Sequence, residues 1–328
     1  MKFLDVVKEV SVYPVRREAS AAFVLGVAGD ANHVAEVRRR VLGNATPEQI
    51  EAAEAVLCCA SPPYSEEEEK RLRYADILLS VPGGPGMTDL RPADIVFVED
   101  PERALEQALA ARPELLVALG RRLPGFREIA ARQVINGVSR VNAEFSALSG
   151  ISASIPFLAP LLPAVVGADV LVLTKNQVLM IFRLAAIYGD DLGLMARWKE
   201  VAPTIAGAVG WRALARQCAG ALPMGLGIPA RVAIAFAGTY VVGRTAEYVL
   251  GEGRPPTQEE IRRFMAEARE QARAFAARFR RRKPGEPEEI RMLPAGELPG
   301  DRELESMAAP EAEASRTAPE DPEAEEPV

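Results

Sequence analysis

Residues 167–189 read GADVLVLTKNQVLMIFRLAAIYG, an apolar run interrupted in its middle by Thr174, Lys175, Asn176 and Gln177. The apolar residues on both sides predict a helix that is buried over most of its surface. Asn and Gln side chains cost free energy when they are buried without hydrogen-bond partners. We therefore interpret the polar block as a set of hydrogen bonds to a neighbouring helix that fixes the packing register. The alternative is a site for a ligand or a partner.

The chain around this stretch, residues 113–283, has the apolar period of a helical domain. An amphipathic helix is predicted between Phe126 and Phe145. Thr257 and Glu260 predict a capping box at the start of the last helix. Glycines are predicted to end three of the helices, at Gly189, Gly220 and Gly251.

Residues 1–112 have the pattern of an α/β domain. Short apolar runs alternate with helical patterns, and they occupy residues 21–29, 53–61, 75–81 and 93–100. Strands separated by helices predict a parallel sheet. After the last run, Asp100 is predicted to cap a helix whose first residue is Pro101.

A remnant of a phosphate-binding loop follows the first predicted strand, in GVAGDANHV, with Gly26, Gly29 and Asp30 as the candidate residues. A working P-loop needs a lysine for the outer phosphates and a hydroxyl for magnesium. Here Asn32 replaces the lysine and His33 replaces the hydroxyl. We interpret the segment as a strand–turn–helix kept for packing, with an NTPase that has an unconventional loop as the alternative.

A second glycine loop, VPGGPGM, contains Gly83, Gly84 and Gly86 at the carboxyl end of a predicted strand. Ligands bind at such positions in open α/β sheets. The loop has no basic residue, so a plain turn is the favoured interpretation and anion or ligand binding the alternative.

The sequence shows no pattern typical of a catalytic or metal site. The single histidine, His33, has no evident acid partner and is predicted to lie on a helix surface. Cys58, Cys59 and Cys218 lack the spacing of zinc ligands and are predicted to be buried thiols in a reducing cytosol. We therefore predict no catalytic residue, no cofactor, no metal and no enzyme activity.

Charge is distributed unevenly along the chain. Residues 284–328 contain 14 acidic and 3 basic residues and no apolar period, which predicts a disordered acidic tail. The helix at residues 257–283 carries nine Lys or Arg against four Glu, on all sides of the helix. It is predicted to contact anionic lipid or to be a plain solvated helix, in preference to binding nucleic acid.

Membrane contact is also suggested by residues 155–173, which contain one charge, Asp169, in 19 residues. Three prolines restrict helix formation in the first half of this segment. A second apolar segment, residues 232–242, is too short to span a bilayer. Three interpretations remain open: a soluble bundle with a buried hairpin, a hairpin that enters one leaflet, and a true span.

The N-terminus lacks the pattern of a signal peptide, so the cytoplasm or the cytoplasmic face of a membrane is predicted.

Residues 7–30, 142–162, 168–189 and 223–253 together resemble the family called domain of unknown function 697. The block L-T-K-N-Q at residues 173–177 is the most specific part of this resemblance, which covers about residues 125–275 in the helical part. The resemblance implies a degenerate Era-like GTPase domain at the N-terminus and association with a membrane. It implies no known reaction.

Together these patterns predict a degenerate GTPase-like α/β domain at residues 1–112, an all-α helical-bundle domain at 113–283 and a disordered acidic tail at 284–328. The predicted function is a non-enzymatic, membrane-associated scaffold or a partner of an active GTPase. An NTPase and a soluble protein that carries a small ligand in its helical bundle are the alternatives.

Overall fold

The computed structural model describes residues 11–84, 94–152, 162–190 and 227–281. Some predictions concern residues outside these ranges, namely Gly86, Cys218, Gly220 and the acidic tail at residues 284–328. The disorder of that tail stays a prediction. The part of the apolar segment 155–173 that precedes residue 162 also lies outside the described residues, so its contact with a membrane stays a prediction.

Four short strands form one parallel sheet, and they are β1 Leu25–Ala28, β2 Leu57–Ala60, β3 Ile77–Ser80 and β4 Ile95–Phe97. Their order is β2-β1-β3-β4, and Leu25 pairs with Leu57 on one side and Ile77 on the other. Every residue of β1 and β3 is buried, as expected for inner strands of a parallel sheet. Each predicted apolar run contains one strand, so the parallel α/β arrangement is confirmed.

The helices described in this part of the chain are α1 Tyr13–Ala19, α2 Ala31–Leu42, α3 Pro47–Glu54, α4 Glu66–Arg73 and α5 Ala104–Ala111. Thr46 and Ser65 start α3 and α4 with capping boxes. The predicted start of α5 was wrong. Asp100 instead caps the turn before the helix, where its carboxylate accepts a hydrogen bond from the Glu102 N–H at 2.9 Å.

One short helix follows, α6 Leu116–Arg122. Four long helices come after it, and they are α7 Arg127–Ser152, α8 Leu162–Ile187, α9 Gly227–Glu252 and α10 Gln258–Arg281. Gly189 follows α8 with a φ of 85°, as predicted for a helix stop. Gly251 was wrongly predicted as a stop, since α9 continues to Glu252 and Gly253 has the positive φ of 67°. The capping box of Thr257 and Glu260 is present. The chain therefore combines a small parallel sheet with a larger set of helices.

One side of α10 is packed against the bundle. Its buried side chains form a stripe with helical spacing: Ile261, Phe264, Met265, Ala268 and Ala272. The prediction that basic residues surround this helix was therefore wrong, because an apolar stripe separates them on the inner side. Arg262, Arg263 and Arg273 are exposed.

Three long helices pack closely around Gly243 of α9. A Cβ atom at this position would lie 2.7 Å from Ile135 of α7 and 3.1 Å from the sulfur of Met180 of α8. Further along, Asn142 of α7 lies beside Asn176 of α8. The reversed order of these contacts shows that α7 runs antiparallel to α8.

The last turns of α7 and the first turns of α8 therefore lie at the same end of the bundle, which we call the distal end. The helix α9 runs parallel to α8, because Thr239 lies beside Gln177 while Gly243 lies beside Met180. Its first turns also belong to the distal end. Within the described segments, no helix is both long enough and apolar enough to cross a bilayer.

A buried ion pair connects α1, which precedes the sheet, to α8. The guanidinium of Arg183 donates to both carboxylate oxygens of Glu18, at 2.8 and 2.7 Å. The side chains are only 9% and 20% exposed. Two parallel hydrogen bonds at low exposure fix the position of the first helix on the bundle.

We expect Glu18→Ala to lower the free energy of unfolding by about 3 kcal/mol, because the charge of Arg183 would remain buried without its partner. Glu69→Ala is the matched control, since it removes a carboxylate 3.0 Å from Arg73 in a pair that is half exposed. The control is expected to cost less than about 1 kcal/mol. Urea denaturation measures both values, and equal costs would contradict a special role for the Glu18 pair.

Candidate functional site

The first candidate site is the crevice at the carboxyl ends of β1 and β3. These neighbouring strands form the point where the strand order reverses, and open α/β sheets bind ligands at such points. The structure brings the two predicted glycine loops together there. A Cβ atom on Gly83 would lie 3.3 Å from the backbone nitrogen of Asp30, and the φ of Gly83 is 76°.

The backbone donors of the first loop are engaged within the protein. Gly29 N–H donates to the Ala60 carbonyl at 3.3 Å, and Asp30 N–H donates to the Pro82 carbonyl at 2.8 Å. Asn32 N–H donates to the Asp30 carboxylate at 3.0 Å. A phosphate-binding loop needs such donors directed at the phosphate. This loop has the position of a phosphate loop, but these three donors already have acceptors.

The Asp30 carboxylate occupies the N-terminus of α2, where a phosphate would otherwise sit. The hydrogen bond from the Asn32 N–H, followed by the contact with His33, lowers the pKa of Asp30 below its usual value. The carboxylate therefore stays negative at neutral pH and repels an anion. The prediction that His33 has no acid partner was wrong, because its Nδ1 lies 3.2 Å from an oxygen of Asp30.

The remaining glycines at this site have roles in packing. Gly26 lies inside β1, where a Cβ atom would come within 2.9 Å of Leu78 and 3.0 Å of Leu72. A Cβ atom on Gly84 would lie 2.5 Å from the carbonyl oxygen of Ala28. Gly83 and Gly84, the described glycines of the second loop, therefore lie tightly against Asp30 and the end of β1. Both loops are shaped by close contact with each other.

The second candidate site is a polar cluster formed by Asn142 of α7, the half-buried Asn176 and Gln177 of α8, and Thr239 of α9. The Asn176 amide donates to the Asn142 side-chain oxygen at 2.8 Å. The Asn142 amide donates to the Thr239 hydroxyl at 2.9 Å, and the Gln177 amide donates to the same hydroxyl at 3.3 Å. Asn142 is fully buried and Thr239 is 1% exposed.

Hydrogen bonds from Asn176 and Gln177 to neighbouring helices were expected from the sequence, and the structure contains them. Thr174 and Lys175 lie half-buried on α8, on the distal side of the cluster. Sequence reasoning missed Asn142 and Thr239. The available signal was that Asn142 is a polar residue within the predicted amphipathic helix, next to the apolar residues of its stripe.

A cavity of about 300 Å³ lies at the outer edge of β2 and is lined by Arg38, Arg71, Cys58 and Cys59 among other residues. The Arg71 guanidinium donates to the carbonyl of Leu57, which protects the edge of the strand. Burial raises the pKa of the Cys59 thiol to about 12, so that this thiol stays protonated and is a poor nucleophile. The cavity therefore offers no activated group. In the described residues, no group of three potential ligands is placed to hold a metal ion.

Comparisons with protein-family models, curated proteins and solved structures find no match to this chain. The site must therefore be interpreted from its own geometry. Of the two candidates, the crevice has its described backbone donors engaged within the protein, whereas the polar cluster links three helices.

We expect Asn142→Leu to lower the free energy of unfolding by about 2–3 kcal/mol, because it leaves the Asn176 amide and the Thr239 hydroxyl without this partner. Asn44→Leu is the control, since Asn44 is exposed. It should change stability by less than about 0.5 kcal/mol. Thermal and urea denaturation measure the effect. An unchanged midpoint and cooperativity for Asn142→Leu would contradict a packing role for the cluster.

Proposed function

We propose that this chain is a non-enzymatic, membrane-associated module, in which a degenerate GTPase-like α/β part serves as a scaffold or as a partner for an active GTPase. The observation that carries the proposal is the position of the polar cluster in the bundle. Its four side chains hydrogen-bond to one another across three helices, and the helices continue beyond it toward the distal end.

The helix ends beyond the cluster are mostly apolar in sequence. Residues 162–173 of α8 contain one charge, Asp169, and residues 227–238 of α9 contain one charge, Arg231. At a rise of 1.5 Å per residue, these ends extend roughly 15–20 Å past the cluster. That length is comparable to one leaflet of the ~30 Å hydrocarbon core of a bilayer. Val232, Ala233 and Phe236 of α9 are buried within the bundle, so the proposed contact with one leaflet belongs to the turns that precede Val232 and to the first turns of α8.

The crevice between β1 and β3 supports the non-enzymatic part of the proposal. A nucleotide phosphate would need the N–H groups of Gly29, Asp30 and Asn32, which already donate to acceptors within the protein. It would also meet the negative charge of Asp30. The strand, turn and helix from Leu25 to Leu42 stand where the phosphate loop of a GTPase-like fold would stand, which supports the proposal. A protein that lacks the chemistry of a GTPase can still act by binding other molecules at its surface.

An NTPase is the second candidate, and one observation favours it. Both glycine loops converge on the crevice, as they would around a phosphate chain. Calorimetric titration with GTP and with ATP, each with magnesium, separates the two candidates. The non-enzymatic proposal predicts no saturable heat, whereas saturable binding that requires magnesium would contradict it.

Membrane association is tested by fractionating cells that express the full chain. We expect the protein in the membrane pellet, and we expect Val165→Glu/Val170→Glu to move it to the soluble fraction, because charges in an apolar helix end oppose contact with lipid. Phe97→Glu is the control, because Phe97 is an exposed apolar residue on β4, 51% exposed, and lies far from the distal end in the sequence. A wild-type protein found only in the soluble fraction would contradict the proposal.

A further inference from the structure

The cavity at the outer edge of β2 is built from three helices and the edge of a strand. Its volume of about 300 Å³ is at the lower end of the range for pockets that bind small molecules. Arg38 of α2, Glu54 at the end of α3 and Glu67 of α4 all line it. Charged side chains of both signs therefore face one enclosed volume.

The two cysteines of β2 show how the helices are arranged around this edge. Successive side chains of a strand point to opposite faces of its sheet. Cys58 packs in an apolar cluster with Leu72 of α4. Burial raises the pKa of the Cys59 thiol to about 12, and the positive charge of Arg38 of α2 is the largest opposing effect. The helices α2 and α4 therefore flank opposite faces, and the cavity lies around the strand edge between them.

The backbone of β2 also contributes hydrogen-bonding groups at this edge. The strand order β2-β1-β3-β4 places β2 at one side of the sheet. The Leu25 N–H donates to the Val56 carbonyl at 2.7 Å. The Gly29 N–H donates to the Ala60 carbonyl at 3.3 Å. The groups that face β1 alternate along the strand, so the N–H and the carbonyl of Cys59 point away from β1.

Two of the charged side chains that line the cavity are engaged within the protein. The Arg71 guanidinium donates to the carbonyl oxygens of Glu54 and Leu57, at 2.9 and 3.2 Å. The Glu68 carboxylate accepts a hydrogen bond from the Ser65 N–H at 2.8 Å, as part of the capping box of α4. These contacts hold α4 at the strand edge and shape the wall of the cavity.

The other three charged side chains, Arg38, Glu54 and Glu67, keep their hydrogen-bonding capacity. The Arg38 guanidinium lies 3.8 Å from the Glu54 carboxylate, which is beyond hydrogen-bond distance. Among the described residues, no hydrogen bond and no closer ion pair engages these three side chains. One positive and two negative groups are therefore left to bind a ligand, together with the backbone of Cys59.

We infer that this cavity binds a basic α-amino acid, which carries one carboxylate and two cationic groups. The ligand carboxylate accepts charge-assisted hydrogen bonds from the Arg38 guanidinium and a hydrogen bond from the Cys59 N–H. The two cationic groups of the ligand pair with Glu54 and Glu67, and the Cys59 carbonyl accepts from the α-ammonium group. The net charge of the ligand, +1, balances the three side chains that bind it.

This site is separate from the proposed membrane contact and adds a ligand to the α/β part. Its contacts are polar and its charges are partly exposed, with Arg38 and Glu54 at 42% and 68%. Such contacts give modest affinity, and we expect a Kd on the order of 0.1–1 mM. Salt screens exposed charges, so the affinity should fall as the ionic strength rises.

The ligand class is tested by calorimetric titration of the full chain with L-arginine and with L-lysine. We expect saturable binding of both. L-Glutamine lacks the second cationic group and agmatine lacks the carboxylate, so each should bind about tenfold more weakly or worse. L-Glutamate has the opposite net charge and should give no saturable heat.

The site is tested by Arg38→Gln and Glu67→Gln, each of which should weaken L-arginine binding about tenfold. Arg39→Gln and Glu66→Gln are the matched controls, because they remove the neighbouring charges on the same two helices, which do not line the cavity. Both controls should bind as the wild type does. A thermal midpoint measured for each variant verifies that it is folded.

Three results would overturn the inference. The first is the absence of saturable heat with both L-arginine and L-lysine. The second is wild-type affinity in a folded Arg38→Gln or Glu67→Gln variant, which would place the ligand elsewhere. The third is equal affinity for L-glutamate, because the cavity would then not select the charge of its ligand.

Discussion

The hydrogen bonds among Asn142, Asn176, Gln177 and Thr239 set the arrangement of the helical part. Asn142 and Thr239 are buried and Asn176 and Gln177 are half-buried, so the buried groups need hydrogen-bond partners on another helix. A shift of one residue along α8 would separate these partners, whereas purely apolar contacts would tolerate it more easily. The close approach at Gly243 depends on the same register, because Ile135 and Met180 meet there. A small number of polar contacts thus determines how a large apolar surface packs.

The α/β part is constrained in a different way. Its two glycine loops close on each other, and the Asp30 carboxylate fills the helix terminus that a phosphate would need. The ion pair of Glu18 with Arg183 then fixes the first helix on α8. The helix α8 also carries Asn176 and Gln177, so it connects the sheet-containing part to the polar cluster. This connection suits a module that presents surfaces to other molecules.

Apolar periodicity predicted the strands and most helices, and the spacing of Thr257 and Glu260 predicted the capping box, because these features depend on local sequence. The start of α5 was misplaced because a hydrogen-bonded turn at Asp100 precedes the helix. The end of α9 was misplaced because the positive φ occurs at Gly253 and not at Gly251. Half of the polar cluster was predicted. Asn142 and Thr239 were missed because their partners lie 34 and 62 residues or more away in the chain. The pairing of His33 with Asp30 was overlooked because it crosses the start of a helix.

The central claim is that the polar cluster fixes the register of the three long helices and that the proposed lipid contact lies beyond it, in the first turns of α8 and α9. Hydrogen–deuterium exchange of the full chain, with and without anionic vesicles, tests this claim most directly. The claim predicts added protection in the first turns of α8 and α9, and unchanged exchange at residues 178–187, which are already buried. Protection that is absent from the distal end, or that falls on the sheet instead, would contradict it.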